Sequence, residues 1–245
     1  MKKRIGIIVL SVFAVIIVAY FPVKKIVGKN DFMSEWGRVL SDDSKEKADN
    51  TNKQDGCNYK ISSVGLSSKT IISGDDIFEA GTDVLITNQE LKIAKAFYIL
   101  QGQSDNKAEK AAVKYVEQYN AMYVEAVDNG FDVTEKEIDD YTSEFKTMAA
   151  QSGNSFDIEK VIAQFDSEDE YWNYQKIVLQ KQLPIQKYIQ SLEEDYRINI
   201  GNDDDNNDDT VLWDEKLVKM QEEAVKKQQY KKIDNLNMID KKFEV

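Results

Sequence analysis

Residues 125–138 read Glu-Ala-Val-Asp-Asn-Gly-Phe-Asp-Val-Thr-Glu-Lys-Glu-Ile, and they constrain the fold more than any other stretch. A long run of helical periodicity ends at Asn129-Gly130, where a left-handed C-cap belongs. Phe131 and Val133 offer apolar side chains to bury in the link. Thr134 is then an N-cap, with Glu137 three positions on, which makes a capping box. Ile138 opens a new apolar stripe. The segment is thus a helix end, a short link and a helix start, and helices that bury one face this regularly belong in a packed bundle.

The same grammar recurs on both sides. Val84-Leu85-Ile86-Thr87-Asn88-Gln89-Glu90-Leu91 carries a capping box from Thr87 to Glu90, and Ser167-Glu168-Asp169-Glu170-Tyr171-Trp172 one from Ser167 to Glu170. The periodicity predicts helices over 88–101, 106–129, 135–151, 157–165 and 168–196, the last kinked or broken at Pro184. Ala112, Tyr115, Tyr119, Met122 and Ala126 share one face of the second helix. Gly201–Asp209 is an acidic, polar break, and a last amphipathic helix follows with Trp213, Leu217, Met220 and Ala224 in phase. Residues 58–86 hold short β-prone patches broken by Ser and Gly, read as one or two short strands.

In their order and spacing these pieces resemble the N-terminal domain of SurA/PrsA-type, parvulin-associated foldases. The likeness covers about residues 84–200. It lies in an "I-T-x-x-E-L" opening, a "V-T-x-x-E-I" helix start after a glycine, and an "s-x-e-e-y-w" start. The helical part of trigger factor shares some of this grammar. The resemblance implies a mainly α domain over 58–245, with residues 210–233 as a helix returning onto the bundle. It also implies a chaperone-like function, the capture of unfolded or secreted polypeptides in a groove between helices. A scaffold that binds one folded cell-envelope partner is the alternative.

The N-terminus completes that expectation. Ile5–Phe21 is an unbroken apolar run behind Lys2-Lys3-Arg4, near the lower limit for crossing a bilayer. Read as an uncleaved anchor over 1–23 rather than a cleaved signal, it predicts a single-pass membrane protein whose bulk is extracytoplasmic. Residues 24–57, rich in Asn, Asp, Ser and Lys, read as a flexible tether with a reach on the order of 30 Å. Residues 1–30 hold six basic residues and no acid, so the rest of the chain is more acidic than its net charge of −12. Such a surface does not suit nucleic acid, where affinity comes from neutralising phosphates.

The chain has no histidine. That excludes Ser-His-Asp and Cys-His catalysis and the usual neutral-pH proton shuttle. A parvulin isomerase domain needs roughly a hundred residues and characteristic histidines, whereas about nine residues occupy its place. The expectation is a protein that is not an enzyme. Cys57 alone makes no internal disulfide. The Asp203–Asp209 run lacks the turn glycine and the bidentate glutamate of an EF-hand loop, so no metal site is assigned. No phosphate loop or cofactor is expected either. Among the aromatic residues, Tyr123 and Trp172 are the candidates for polypeptide binding. Tyr123 stands one position round from the Tyr115/Tyr119 stripe, and Trp172 is in the first turn of its helix. Against them stands the rule that stripes at helical spacing are mostly core.

Overall fold

The computed structural model describes residues 32–50, 58–60, 71–73, 76–151, 155–200 and 207–233. Among these, seven helices and five short strands follow one another as α1 (Phe32–Asn50), β1 (Asn58–Lys60), β2 (Ile71–Ser73), β3 (Ile77–Ala80), β4 (Leu85–Thr87), α2 (Asn88–Leu100), α3 (Asp105–Asp128), α4 (Glu135–Gln151), α5 (Ser155–Ile162), α6 (Glu168–Ile200), α7 (Asn207–Gln228) and β5 (Lys231–Lys232). The mainly α architecture agrees with the helical periodicity. The membrane-anchored part of the expectation is corrected. Among the described residues no helix is long and apolar enough to cross a membrane, and the Ile5–Phe21 run lies outside them. The anchor, the membrane as partner, the single-pass extracytoplasmic placement and the membrane-tethered foldase function built on them are therefore withdrawn.

Local signals place the helix ends. Gly102 (φ 85°) and Gly130 (φ 83°) follow α2 and α3 in the left-handed conformation that glycine adopts without steric cost. At the second end Gly130 N–H donates to Val127 O (2.9 Å) and Phe131 N–H to Ala126 O (2.9 Å). This is a Schellman closure of the last turn. Val133 is buried in the link, and Phe131 packs on Tyr188 with ring centroids 5.4 Å apart. The Thr134 box is complete: Glu137 N–H donates to Thr134 Oγ1 (3.2 Å) and Thr134 N–H to Glu137 Oε2 (2.8 Å). The Thr87 box is complete too. At Ser167 only half forms as read. Glu170 N–H donates to Ser167 Oγ (3.1 Å), while the Glu170 carboxylate accepts from Asp166 N–H (3.0 Å).

Two expectations about the chain's course need correction. Residues 24–57 are not a featureless tether, because α1 fills 32–50. Phe32, Trp36 and Leu40 repeat every fourth position, which puts them on one helical face; Trp36 and Leu40 are buried. Gly37 lets this helix come close to α5: a Cβ there would stand 2.8 Å from both Cα and O of Val161. Pro184 does not break α6, which continues to Ile200.

The core is divided into two apolar clusters. The first joins α1, α2, α4, α5 and the N-terminal parts of α3 and α6, with Phe97, Trp36, Phe145, Tyr171, Trp172 and Leu179 among its members. The second joins the C-terminal parts of α3 and α6 to α7, through Ala121, Met122, Tyr123, Ala126, Ile185, Tyr188 and Ala224. Pro184 stands where α6 passes from one to the other, between Leu183 and Ile185. The strands form two antiparallel sheets, β1-β2 and β4-β3-β5. In the second sheet β3 is central, with an irregularity between Ile77 and Glu79. After α7 the chain is tied back to the β3–β4 turn. Thr82 N–H donates to Gln228 O (2.7 Å) and Asp83 N–H to Gln228 Oε1 (2.8 Å).

Candidate functional site

Both residues proposed from sequence for polypeptide binding lie in the core. Tyr123 is 1% exposed and Trp172 4%. Trp172 packs its ring against Tyr171 (4.8 Å) and Phe145 (5.9 Å) and donates its indole N–H to Glu168 Oε1 (2.9 Å). Its position in the first helical turn did not leave it at a groove, because α4 covers it. The phase of the stripe sets Tyr123 at its edge, but it is covered where α6 and the returning α7 meet α3. With neither ring available at the surface, the capture of unfolded polypeptides by these residues is also withdrawn.

The phase of the α3 tyrosines runs the other way from that expectation. Tyr115 and Tyr119 are the partly exposed pair. Their rings stack, with centroids 5.8 Å apart and planes at 20°. Burial pushes both hydroxyls well above their ordinary pKa, so the phenolic ends point into desolvated surroundings.

Beside this pair lies a polar centre where α2, α3 and α6 meet. Lys181 Nζ donates to Glu90 Oε1 (2.8 Å) and to Asn120 Oδ1 (2.5 Å). Asn120, fully buried, donates its amide to Val116 O (2.8 Å), which fixes which way the side chain faces. Glu90 serves two structures at once. Its other oxygen accepts from Thr87 N–H (2.9 Å) and Thr87 Oγ1 (3.2 Å), closing the α2 capping box. The ammonium also stands 5.9 Å from the Tyr119 ring centroid and 5.7 Å from that of Tyr123, within cation–π reach. A half-buried amine so close to a carboxylate, an amide oxygen and two π faces is held in one position.

The polar groups continue to the sheet. The Tyr230 hydroxyl donates to Glu117 O (3.1 Å), and its pKa is raised by burial and by the carboxylates of Glu90, Glu117 and Glu79. Glu79 on β3 is 4% exposed, and its carboxyl faces that of Glu117 on α3. Burial first, then the Glu117 charge, pushes Glu79 up to about 7, while Lys232 pulls the other way. Burial also raises Glu117. The Tyr230 ring touches both apolar clusters, so this line of polar groups runs along the seam between them.

Sequence reasoning found Thr87 and Glu90 through the capping box, and Tyr115 and Tyr119 through the stripe. It missed Lys181, Asn120, Glu79 and Glu117. Of these, only Asn120, a polar residue inside an apolar helical stretch, carried a local signal. Among the described residues no group of three or more His, Cys, Asp or Glu side chains is placed to hold a metal ion. Most of the Asp203–Asp209 run lies outside the described residues. No protein-family model matches the sequence, and no match is found among curated proteins or solved structures.

Proposed function

We propose that this chain is a non-catalytic protein-interaction module, built as a SurA/PrsA-type N-terminal domain without an isomerase domain. The observation that carries the reading is the stacked, partly exposed Tyr115–Tyr119 pair beside the fixed Lys181–Glu90 ion pair. Tyrosine rings give a partner large contact area with few torsions to freeze. Such rings, next to charges already held in place, have the composition of interface hot spots. The family reading is supported by the order of elements: a strand into a capped helix, a glycine-closed link into a second capped helix, a capped long helix, then a helix returning onto α3. Only residues 201–206 separate α6 from α7, and the chain has no histidine, so the isomerase chemistry of that family is not carried over.

The experiment places a photoreactive phenylalanine analogue at Tyr119 of the full chain in its source cells, with a control probe at the exposed Glu144. One stoichiometric adduct at 119, lost on Tyr115→Ala and absent at 144, is the expected result. Identical adducts at both positions, or none at 119, overturn the assignment. Clear acceleration of prolyl exchange over its uncatalysed tens to hundreds of seconds would overturn the non-catalytic part.

A further inference from the structure

β5 is two residues long, yet it is the only cover on one edge of β3 among the described residues. Its backbone hold is slight. Ala80 pairs with Lys231 and Glu79 with Lys232, and Ile233 N–H reaches Phe78 O at 3.4 Å. Tyr230 pins the segment from one end, its ring set so tightly that a Cβ on Gly81 would come within 2.8 Å of Cε1. Beside this strap lie two carboxyl groups that face each other, that of Glu79, whose backbone pairs with Lys232, and that of Glu117 on α3. One Glu79 oxygen, Oε2, is buried with no hydrogen-bond partner. A hydrogen bond between two carboxyl groups requires a proton on one of them. Two bare carboxylates in that place repel each other in a medium that screens them poorly.

We infer that the Glu79–Glu117 pair is a protonation-controlled latch that keeps the strap Lys231–Ile233 on β3 while it shares a proton and lets the strap lift when that proton is lost. Every neighbouring element contributes to this balance. From α3 comes Glu117, which favours the proton. From β5 comes Lys232, paired with Glu79, whose cation opposes the proton, while Lys231 is exposed. From α2 comes Glu90, which acts on Tyr230. β4 adds no ionisable group, being Leu85-Ile86-Thr87. When both carboxyls ionise, relief comes from admitting water, and the two-residue strand is the least firmly held cover. The Glu79 carboxyl titrates near 7 with the strap docked and near the ordinary glutamate value of about 4.3 when solvated. The docked form therefore binds more protons, and docking weakens as pH rises from about 4.3 to about 7. Lifting the strap bares the backbone of Phe78–Ala80, a strand edge able to pair with another extended chain.

The test follows the backbone amides of residues 231–233 by NMR in the full chain from pH 5 to pH 9. The wild type is expected to move from docked toward coil-like shifts as pH rises to about 7 and to change little above it. Glu79→Gln should keep the docked shifts throughout. Glu117→Gln removes the repulsion, so the strap should stay docked to higher pH than in the wild type, and this variant serves as the reading if Glu79→Gln folds poorly. Wild-type amides that hold their docked positions across the range overturn the latch. So does a Glu79→Gln protein that titrates as the wild type does.

Discussion

The two apolar clusters are built from different materials. The first is aromatic: Phe97 meets Phe32, Trp36 and Tyr98 edge to face at 5.2–5.9 Å, and Phe165 meets Tyr171 at 5.3 Å. The second is lined by Ala121, Ala126 and Ala224, with Ile185, Met122 and two tyrosines as its bulk. Large rings fill space between helices held apart, and each aromatic pair adds roughly 0.5–1.5 kcal/mol beyond burial. Alanines instead let backbones approach, so the second cluster gains close contact but little apolar area. Folding strength should therefore concentrate in the first cluster, and α7 with its strap should be the part that opens first.

One helix allows a matched comparison. Leu179 and Ile185 lie on either side of Pro184 in α6, with 2% and 1% of their surface exposed. Each change to alanine belongs to a class that costs about 2–5 kcal/mol, the spread reflecting how far the site can collapse. Leu179→Ala should fall near the top of that range, since rigid rings surround it. Ile185→Ala should fall near the bottom, and hydrogen exchange should show its loss mainly in α7. Equal costs in denaturant unfolding, with identical exchange patterns, would break the distinction between the clusters.

Gly37→Ala probes the edge of the first cluster. The added Cβ would meet Val161 backbone at 2.8 Å, which no side-chain rotation relieves. A cost of about 1–3 kcal/mol is expected, as for other overpacked sites. The loss should appear in thermal unfolding, with weakened exchange protection in α1 and α5 and not in α7. A neutral Gly37→Ala would mean that α1 adds little to the first cluster.

Thr134→Ala probes the α3–α4 link that both clusters share. Loss of the Thr134 acceptor should cost about 0.5–2 kcal/mol. Because Phe131 and Val133 in the same link belong to different clusters, exchange protection should fall in both. A loss confined to α4 would show that the link does not couple them.

These expectations also mark what the sequence carried. The caps at Thr87, Thr134 and Ser167 and the glycine ends were legible because a cap is decided within four residues. The returning α7 was legible from Trp213, Leu217 and Ala224 in phase. α1 was not, although Phe32, Trp36 and Leu40 held the spacing, because the surrounding Asp, Ser, Asn and Lys outweighed them in composition. The candidate site was legible only in halves. Lys181 and Glu90 stand 91 residues apart, and no local period announces a partner at that distance. Tyr123 and Tyr119 exchanged their expected exposure because α6 and α7 both pack on α3 around Tyr123.

The smallest effect concerns a surface tie between the clusters. Glu137, next to Ile138 of the first cluster, accepts from Lys187, next to Tyr188 of the second, at 2.8 Å. The Lys187 ammonium, with the Thr134 backbone and hydroxyl donors behind it, lowers the Glu137 carboxyl to about 2. A carboxyl depressed in the folded state adds stability above its ordinary value near 4.5 and loses it as pH falls through about 2. The pair is exposed, so its worth should stay below about 1 kcal/mol and shrink with salt. Lys187→Met should thus lower stability slightly at pH 6 and low ionic strength. The gap to the wild type should close in 1 M salt and again as pH approaches 2. Denaturant midpoints measured at those three conditions check it. A gap that persists at pH 2 would mean that the methylene stem of Lys187 joins the clusters by packing, and that their surface connection is apolar instead of ionic.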